Sequence, residues 1–386
     1  MKKNVIRVVA LIIAVLLLVG TLGSVINLVR AESLDINKGV YVYGAGLSQE
    51  EAEETKTLLG IKDKNIGYIK IKGEDSLKYI NENNNDSQMI SSIFAKKNND
   101  DVVRVEVMTP LMITDVSSLQ YSNAAITAGV KGLDIKVASV TQVTGTSALT
   151  GVYKLMEVLG QEVDTERTKA ANEEIETINV IAKEHKDDEN FNKEDLNKAV
   201  VEGKQQLINI KESDGNVVAE QVENVTNTVI KDNNLQNVLN NNDIQNLIIM
   251  FTNFINIENL NINETKDQLN YLKENVANLA KEELKKVKEF IDTDAGKEFI
   301  NNLQGSLTKE NLEELLNNAK EGLNSKEVQD ALNGIRENLN TENIKNYIDD
   351  ISSQLGNDAG GFFNSITNFF SNIFESIVNF FSNLFN

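Results

Sequence analysis

Two stretches of this 386-residue chain align without a gap at an offset of 69: LSQEEAEETKTLLGIKDKNIGYIKI (47–71) and VSSLQYSNAAITAGVKGLDIKVASV (116–140). Ser48 falls on Ser117, Gly60 on Gly129, Ile61 on Val130 and Ile66 on Ile135. Serine is a favoured helix N-cap because its hydroxyl accepts a free first-turn N–H. Glycine closes a helix with φ > 0 at little steric cost. Each copy therefore predicts the same unit, strand–helix–Gly–strand, used twice.

Apolar alternation rich in Val, Ile and Tyr predicts strands at Gly39–Tyr43, Ile66–Lys72, Ile90–Lys97, Val102–Met108 and Asp134–Val140. Helical periodicity falls at 48–59, 116–128 and 147–160. KKNNDD (96–101) has turn chemistry and predicts a hairpin between the strands on either side. The expected fold class is an α+β domain over 36–185, a mixed sheet covered by helices, followed by an all-α helical arm and a C-terminal amphipathic helix.

GLSQEEAEETKTLLGI, QYSNAAITAGVKGLDIKVASVTQVTGTSALTGVYKLME and DTERTKAANEEI, all within 36–185, resemble an uncharacterised family of secreted Firmicutes proteins, domain of unknown function one-thousand-and-two. Its most specific part is Asn123–Glu157. The resemblance implies export and an unsolved function. It supplies no catalytic residue, and the chain beyond about 190 departs from the quoted motifs.

Residues 1–31 form a segment of a different kind. A basic start (Lys2, Lys3, Arg7) precedes an apolar run from Val8 to about Val29, closing on Val29-Arg30-Ala31. Small-x-small suits a signal peptidase. The run is also long enough to span a bilayer. The segment reads as a cleaved signal peptide or an uncleaved N-terminal anchor, and either way the rest is exported: secreted, or held on the extracellular face of the cell membrane of a Gram-positive bacterium. The formal charge is −20, and a chain this acidic repels nucleic acid. There is no Cys, and His185 is the only His. A disulfide framework is excluded and a zinc site lacks its usual ligands.

Several candidate sites were weighed against structural readings. GTSALTG (145–151) opens a helix whose free N–H groups suit an anion or oxyanion, with Ser147 as nucleophile. The structural reading, which is preferred, makes Thr146 or Ser147 a cap and Gly145 the turn. YGAGLSQ (43–49) half-matches a dinucleotide loop but reads as turn and cap. NENNNDS (81–87) and KDDEN (186–190) are oxygen-rich, yet lack the spacing of a calcium loop and read as solvated loops. His185 reads as a surface residue near a helix end. These patterns assign no catalytic residue, no metal ligand and no cofactor.

From 190 to 356 the pattern is helical and acidic. Four 16-residue units begin at Ile291, Leu307, Leu323 and Leu339, with apolar positions such as Leu312, Val328 and Ile344 at a fixed offset. GNDAGG (356–361) is a hinge, and 357–386 is the last region. Its NFFSNIF (368–374) recurs as NFFSNLF (379–385), an offset of 11, almost three helical turns. Phe362, Phe363, Ile366, Phe369, Phe370, Ile373, Phe374, Ile377, Phe380, Phe381, Leu384 and Phe385 form one stripe with Asn residues opposite. Such a stripe is too polar to span; it suits a membrane interface, a protein partner, a homo-oligomer contact or docking on the protein itself. The functional expectation is an exported, cell-envelope-associated binding protein. The alternative is an extracellular hydrolase using Asp/Glu acid–base chemistry.

Overall fold

The computed structural model describes residues 34–63, 65–186, 188, 190–306 and 341–354. The chain begins with a five-stranded mixed sheet: β1 (Val40–Gly44), β2 (Gly67–Ile71), β3 (Ser92–Lys97), β4 (Val103–Val107) and β5 (Leu133–Ala138), in spatial order β2-β1-β3-β5-β4. β1 and β2 pair in parallel, joined through α1 (Gln49–Leu58). β4 and β5 also pair in parallel, joined through α3 (Ser118–Ala128). β3 lies between the two units, antiparallel to β1 and to β5. The repeated unit read from the sequence is thus a repeated βαβ unit.

Its local chemistry repeats as well. The Ser48 hydroxyl accepts the Glu51 N–H, and the Glu51 carboxylate accepts the Ser48 N–H in return at 2.8 Å. Ser117 and Gln120 make the same reciprocal pair on α3. This capping box satisfies donors that the first helical turn leaves free. Gly60 (φ +73°) and Gly129 (φ +84°) end the helices in the left-handed region.

The hairpin expected at KKNNDD does not form. β5 is inserted between β3 and β4, so the 98–102 turn crosses over it. The alternation of β5 fits both neighbours: Ile135 sits between Ala95 of β3 and Val105 of β4. α2 (Gly73–Ile80) was not expected; its N-cap, Lys72, makes no side-chain cap bond.

One sheet face carries Val40, Val42, Ile71, Ile93, Val105, Ile135 and Val137, and α3 and α4 (Thr146–Val158) pack on it. Tyr41 and Phe94 face the other way, under Leu58 and Leu59 at the end of α1. The helices that follow are α5 (Thr165–Glu184), α6 (Lys193–Asp214), α7 (Ala219–Asp232), α8 (Asn241–Ile255) and the 30-residue α9 (Ile262–Ile291). α5, α6 and α9 all pack on α3. Every residue of α3 is buried, and one apolar core runs from Val40 to Ile291. The position near 190 is a turn between α5 and α6, and packing continues across it.

α9 also covers the β4 edge. The Val103 N–H donates to Gln268 Oε1 at 3.0 Å, and Gln268 Nε2 donates to the Val130 carbonyl at 3.2 Å. A side chain thus takes one of the N–H groups that an edge strand leaves free. Of the 16-residue units, α10 (Asp294–Ser306) and α11 (Thr341–Gln354) fall within the described residues. Their stripe positions Ile300, Ile344 and Ile348 are buried, and α11 packs on α9. The two middle units and the Phe-rich stripe from Phe362 to Phe385 lie outside the described residues.

Candidate functional site

The residues with chemistry to offer gather around α3. A helix buried on every side must satisfy its polar side chains internally. α3 carries Ser118, Gln120, Ser122, Asn123 and Thr127, all buried. Two charged clusters from the surrounding helices meet them.

The first lies at the middle of α3. Lys204 of α6 has no exposed surface, and Glu174 of α5 is 2 % exposed. The Lys204 ammonium donates to Glu174 Oε2 at 2.9 Å, to Asn123 Oδ1 at 2.7 Å and to Thr127 Oγ1 at 2.6 Å. It also stands 4.7 Å from the centre of the Phe254 ring on α8. Burial disfavours the ammonium and lowers its pKa, and Glu174 beside it offsets only part of that shift. Four helices therefore meet at one buried ion pair.

The second lies at the α3 N-terminus. Glu283 of α9 accepts the Ser118 N–H at 3.1 Å. Glu194, in the first turn of α6, accepts from Asn197 Nδ2 at 2.9 Å and bonds the Ser117 side chain. Lys193 donates to the Asp115 carbonyl at 2.7 Å. Burial pushes the Glu194 carboxyl up to about 7. Burial, then the neighbouring Glu194 charge, pushes Glu283 up to about 8.

At the α3 C-terminus, Arg167 of α5 donates to the Thr127 and Ile126 carbonyls at 2.9 and 3.3 Å. A guanidinium there supplements the glycine cap, because the last carbonyls of a helix lack partners.

The sites weighed from sequence resolve differently. α4 is capped by Gly145 (φ +104°), with no side-chain cap bond, so neither Thr146 nor Ser147 caps it. The backbone at Gly145 leaves no room for a side chain: an added Cβ would stand 2.4 Å from Tyr121 Oη, which donates to the Gly145 carbonyl. Ser147 Oγ turns inward to Ser91 Oγ at 2.5 Å. A serine nucleophile needs a base, and this one faces a second hydroxyl.

YGAGLSQ is turn and cap. Added Cβ atoms at Gly44 and Gly46 would meet the backbone at Met89 and Ser87, so these glycines admit the protein's own loop. In NENNNDS, Asp86 accepts the Gly73 N–H at 2.9 Å. His185 is not a surface residue. It is partly buried at the α5 C-terminus, its Nε2 2.7 Å from Asp243 Oδ2, because α8 packs across that helix end. Among the described residues no three His, Cys, Asp or Glu are placed to hold a metal ion, and no helix is long and apolar enough to cross a membrane.

The sequence reading missed Glu174, Glu194, Lys204 and Glu283. A signal was present. Lys204 occupies the apolar stripe of α6 between Val200 and Leu207, and Glu283 that of α9 between Ala280 and Val287. A charge on an apolar stripe marks a buried partner, since an unpaired one is costly.

The class defined is an α+β protein whose second βαβ helix is enclosed by a helical layer and held by buried charge clusters. Residues 43–272 match the family described as a protein of unknown function (DUF1002), and the chain belongs to that family. The match extends past 185 through α8 and over the first residues of α9, so the quoted motifs are only its first portion, and Glu283 lies beyond it. The chain is similar to the uncharacterized protein YpuA of Bacillus subtilis (strain 168), 31% identical over 146 residues, which are 36% of this chain and 48% of the relative. It thus spans about half the length of the curated relative it matches. No solved structure matches it.

Proposed function

We propose that this chain is an exported, envelope-associated binding protein, secreted or held on the extracellular face of the membrane of a Gram-positive bacterium. Contact is made through the Phe-rich stripe. The observation that carries the reading is a contrast in where interaction capacity lies. The strongest acid–base groups, Glu194, Glu283 and Lys204, are at most 5 % exposed and join helices to one another. Residues 361–386 contain eight Phe and one charge, Glu375. Each Phe gains roughly 1.5–3 kcal/mol on full burial, so such a stripe favours an apolar surface to meet. The basic start and apolar run of 1–31 support export.

The stripe has no Lys or Arg, which favours a zwitterionic membrane interface or a protein groove over an anionic surface. Changing Phe369, Phe370, Phe380 and Phe381 to Ser should abolish flotation with zwitterionic liposomes. It should also abolish self-association in sedimentation velocity, if that occurs. If wild type does neither, and the variant melts lower, the stripe belongs to the protein's own core.

The hydrolase reading has one observation in its favour, the carboxyl pair Glu194 and Glu283 with raised values. A substrate would reach the pair only after α9 lifts away. Release of sugars or peptides from cell-wall polymer by wild type, lost in Glu283→Gln, would favour that reading.

A further inference from the structure

Glu283 and Glu194 come from helices far apart in sequence and end on consecutive residues, Ser118 and Ser117. Their surroundings contain too little positive charge for both to ionise comfortably. On α6, Lys193 faces them, with Asp195 adjacent to Glu194. On the α3 side stand Asp115 and the Tyr121 hydroxyl. On α9 itself Lys286 is engaged elsewhere, with Glu106 of β4 at 3.1 Å and Glu289 at 2.8 Å. The pairs joining α9 to α11 and closing the turn into α10, Lys288–Asp349 and Lys345–Asp292, lie past the end of this cluster. The partly buried Lys193 ammonium therefore serves Asp115, Glu194 and Glu283 together.

We propose that Glu194 and Glu283, buried where α6 and α9 meet Ser117 and Ser118, form a pH-sensitive latch that holds α9 against the N-terminus of α3. Below about pH 7 both carboxyls are protonated and the pair is uncharged; between about 7 and about 8 it carries one charge. Glu283 keeps the Ser118 N–H through a carbonyl-type oxygen. Loss of both protons leaves two like charges that are only 4 % and 5 % exposed. Lifting α9 relieves the repulsion by exposing both.

The direction follows from linkage. Docked, the carboxyls sit at about 7 and about 8, against 4.5 for a free glutamate. The docked state binds more protons between those limits. Docking is therefore strongest at or below about pH 4.5, weakens as pH rises, and levels off above about 8. The opening equilibrium shifts about tenfold per pH unit for each proton released.

Hydrogen exchange of the full chain, corrected for intrinsic rates, tests this between pH 5.5 and 8.5. Protection of 276–291 should fall at least about tenfold per pH unit through the lower part of the range. Protection of α4, which packs on α2 and on β1, β2 and β3, should change much less. Glu283→Gln, with only Glu194 left to titrate, should flatten the slope and leave 276–291 better protected at pH 8.5 than in wild type. If that variant does not fold, Glu194→Gln should flatten the same slope. A flat wild-type profile, an unchanged slope in both foldable variants, or an equal fall in α4 would each overturn the latch.

Discussion

The Lys204 ammonium lies 2.9 Å from Glu174 Oε2, with neither side chain reaching solvent, and both are tied to α3 through Thr127 Oγ1. Removing one partner strands the other charge in the core. Lys204→Met should cost about 3–5 kcal/mol in urea unfolding. The double change Lys204→Met with Glu174→Gln should cost less than the single one, because no buried charge remains. A double variant as unstable as the sum of the singles would refute the coupling.

The two echoing glycines should separate under substitution. Ala at either must adopt positive φ, at about 1–2 kcal/mol. At Gly60 the new methyl meets only Lys136 Nζ at 3.8 Å, whereas at Gly129 it meets the Arg167 guanidinium at 2.8 Å. Gly129→Ala should therefore lower the melting temperature more than Gly60→Ala. Equal losses would mean that Arg167 moves aside freely.

Ser147→Ala removes the hydrogen bond to Ser91 but no helix cap. The expected loss is about 1 kcal/mol, and Ser91 keeps the Gly145 carbonyl at 3.2 Å. Thr146→Ala, also not a cap, should cost no more. An activity that vanished in Ser147→Ala at unchanged melting temperature would restore the nucleophile reading.

For export, the expected mature N-terminus is Glu32, after Val29-Arg30-Ala31. Edman or mass-spectrometric reading of protein from the culture medium checks it. Full-length protein found only in the membrane fraction would identify an anchor instead.

All five strands and the three helices at 48–59, 116–128 and 147–160 were legible because alternation, N-cap serines and closing glycines act over a few residues. The strand order was not. Val105 and Ala95 both suit Ile135 as a neighbour, and nothing in KKNNDD says that β5 will come between them. α2 starts at Lys72, a residue type that does not announce an N-cap, and only Asp75 reaches back to the Lys72 N–H. The buried charges were hardest to see. Glu283 and Lys204 sit on apolar stripes, but a stripe names a buried face without naming what buries it.

The echo separates the two levels. Sequence by itself determined that 49–58 and 118–128 are helices, each opened by a serine capping box and followed by a positive-φ glycine. Those bonds run between residues three apart and form wherever the segment is placed. Only the tertiary structure decided that α1 keeps a solvent face while α3 is enclosed on every side. Enclosure needs α5, α6 and α9, drawn from residues 165–291, and the pairing of Glu174 with Lys204 and of Glu283 with Ser118 across that distance. Contacts between segments so far apart are set by packing of the whole chain, and no local pattern encodes them.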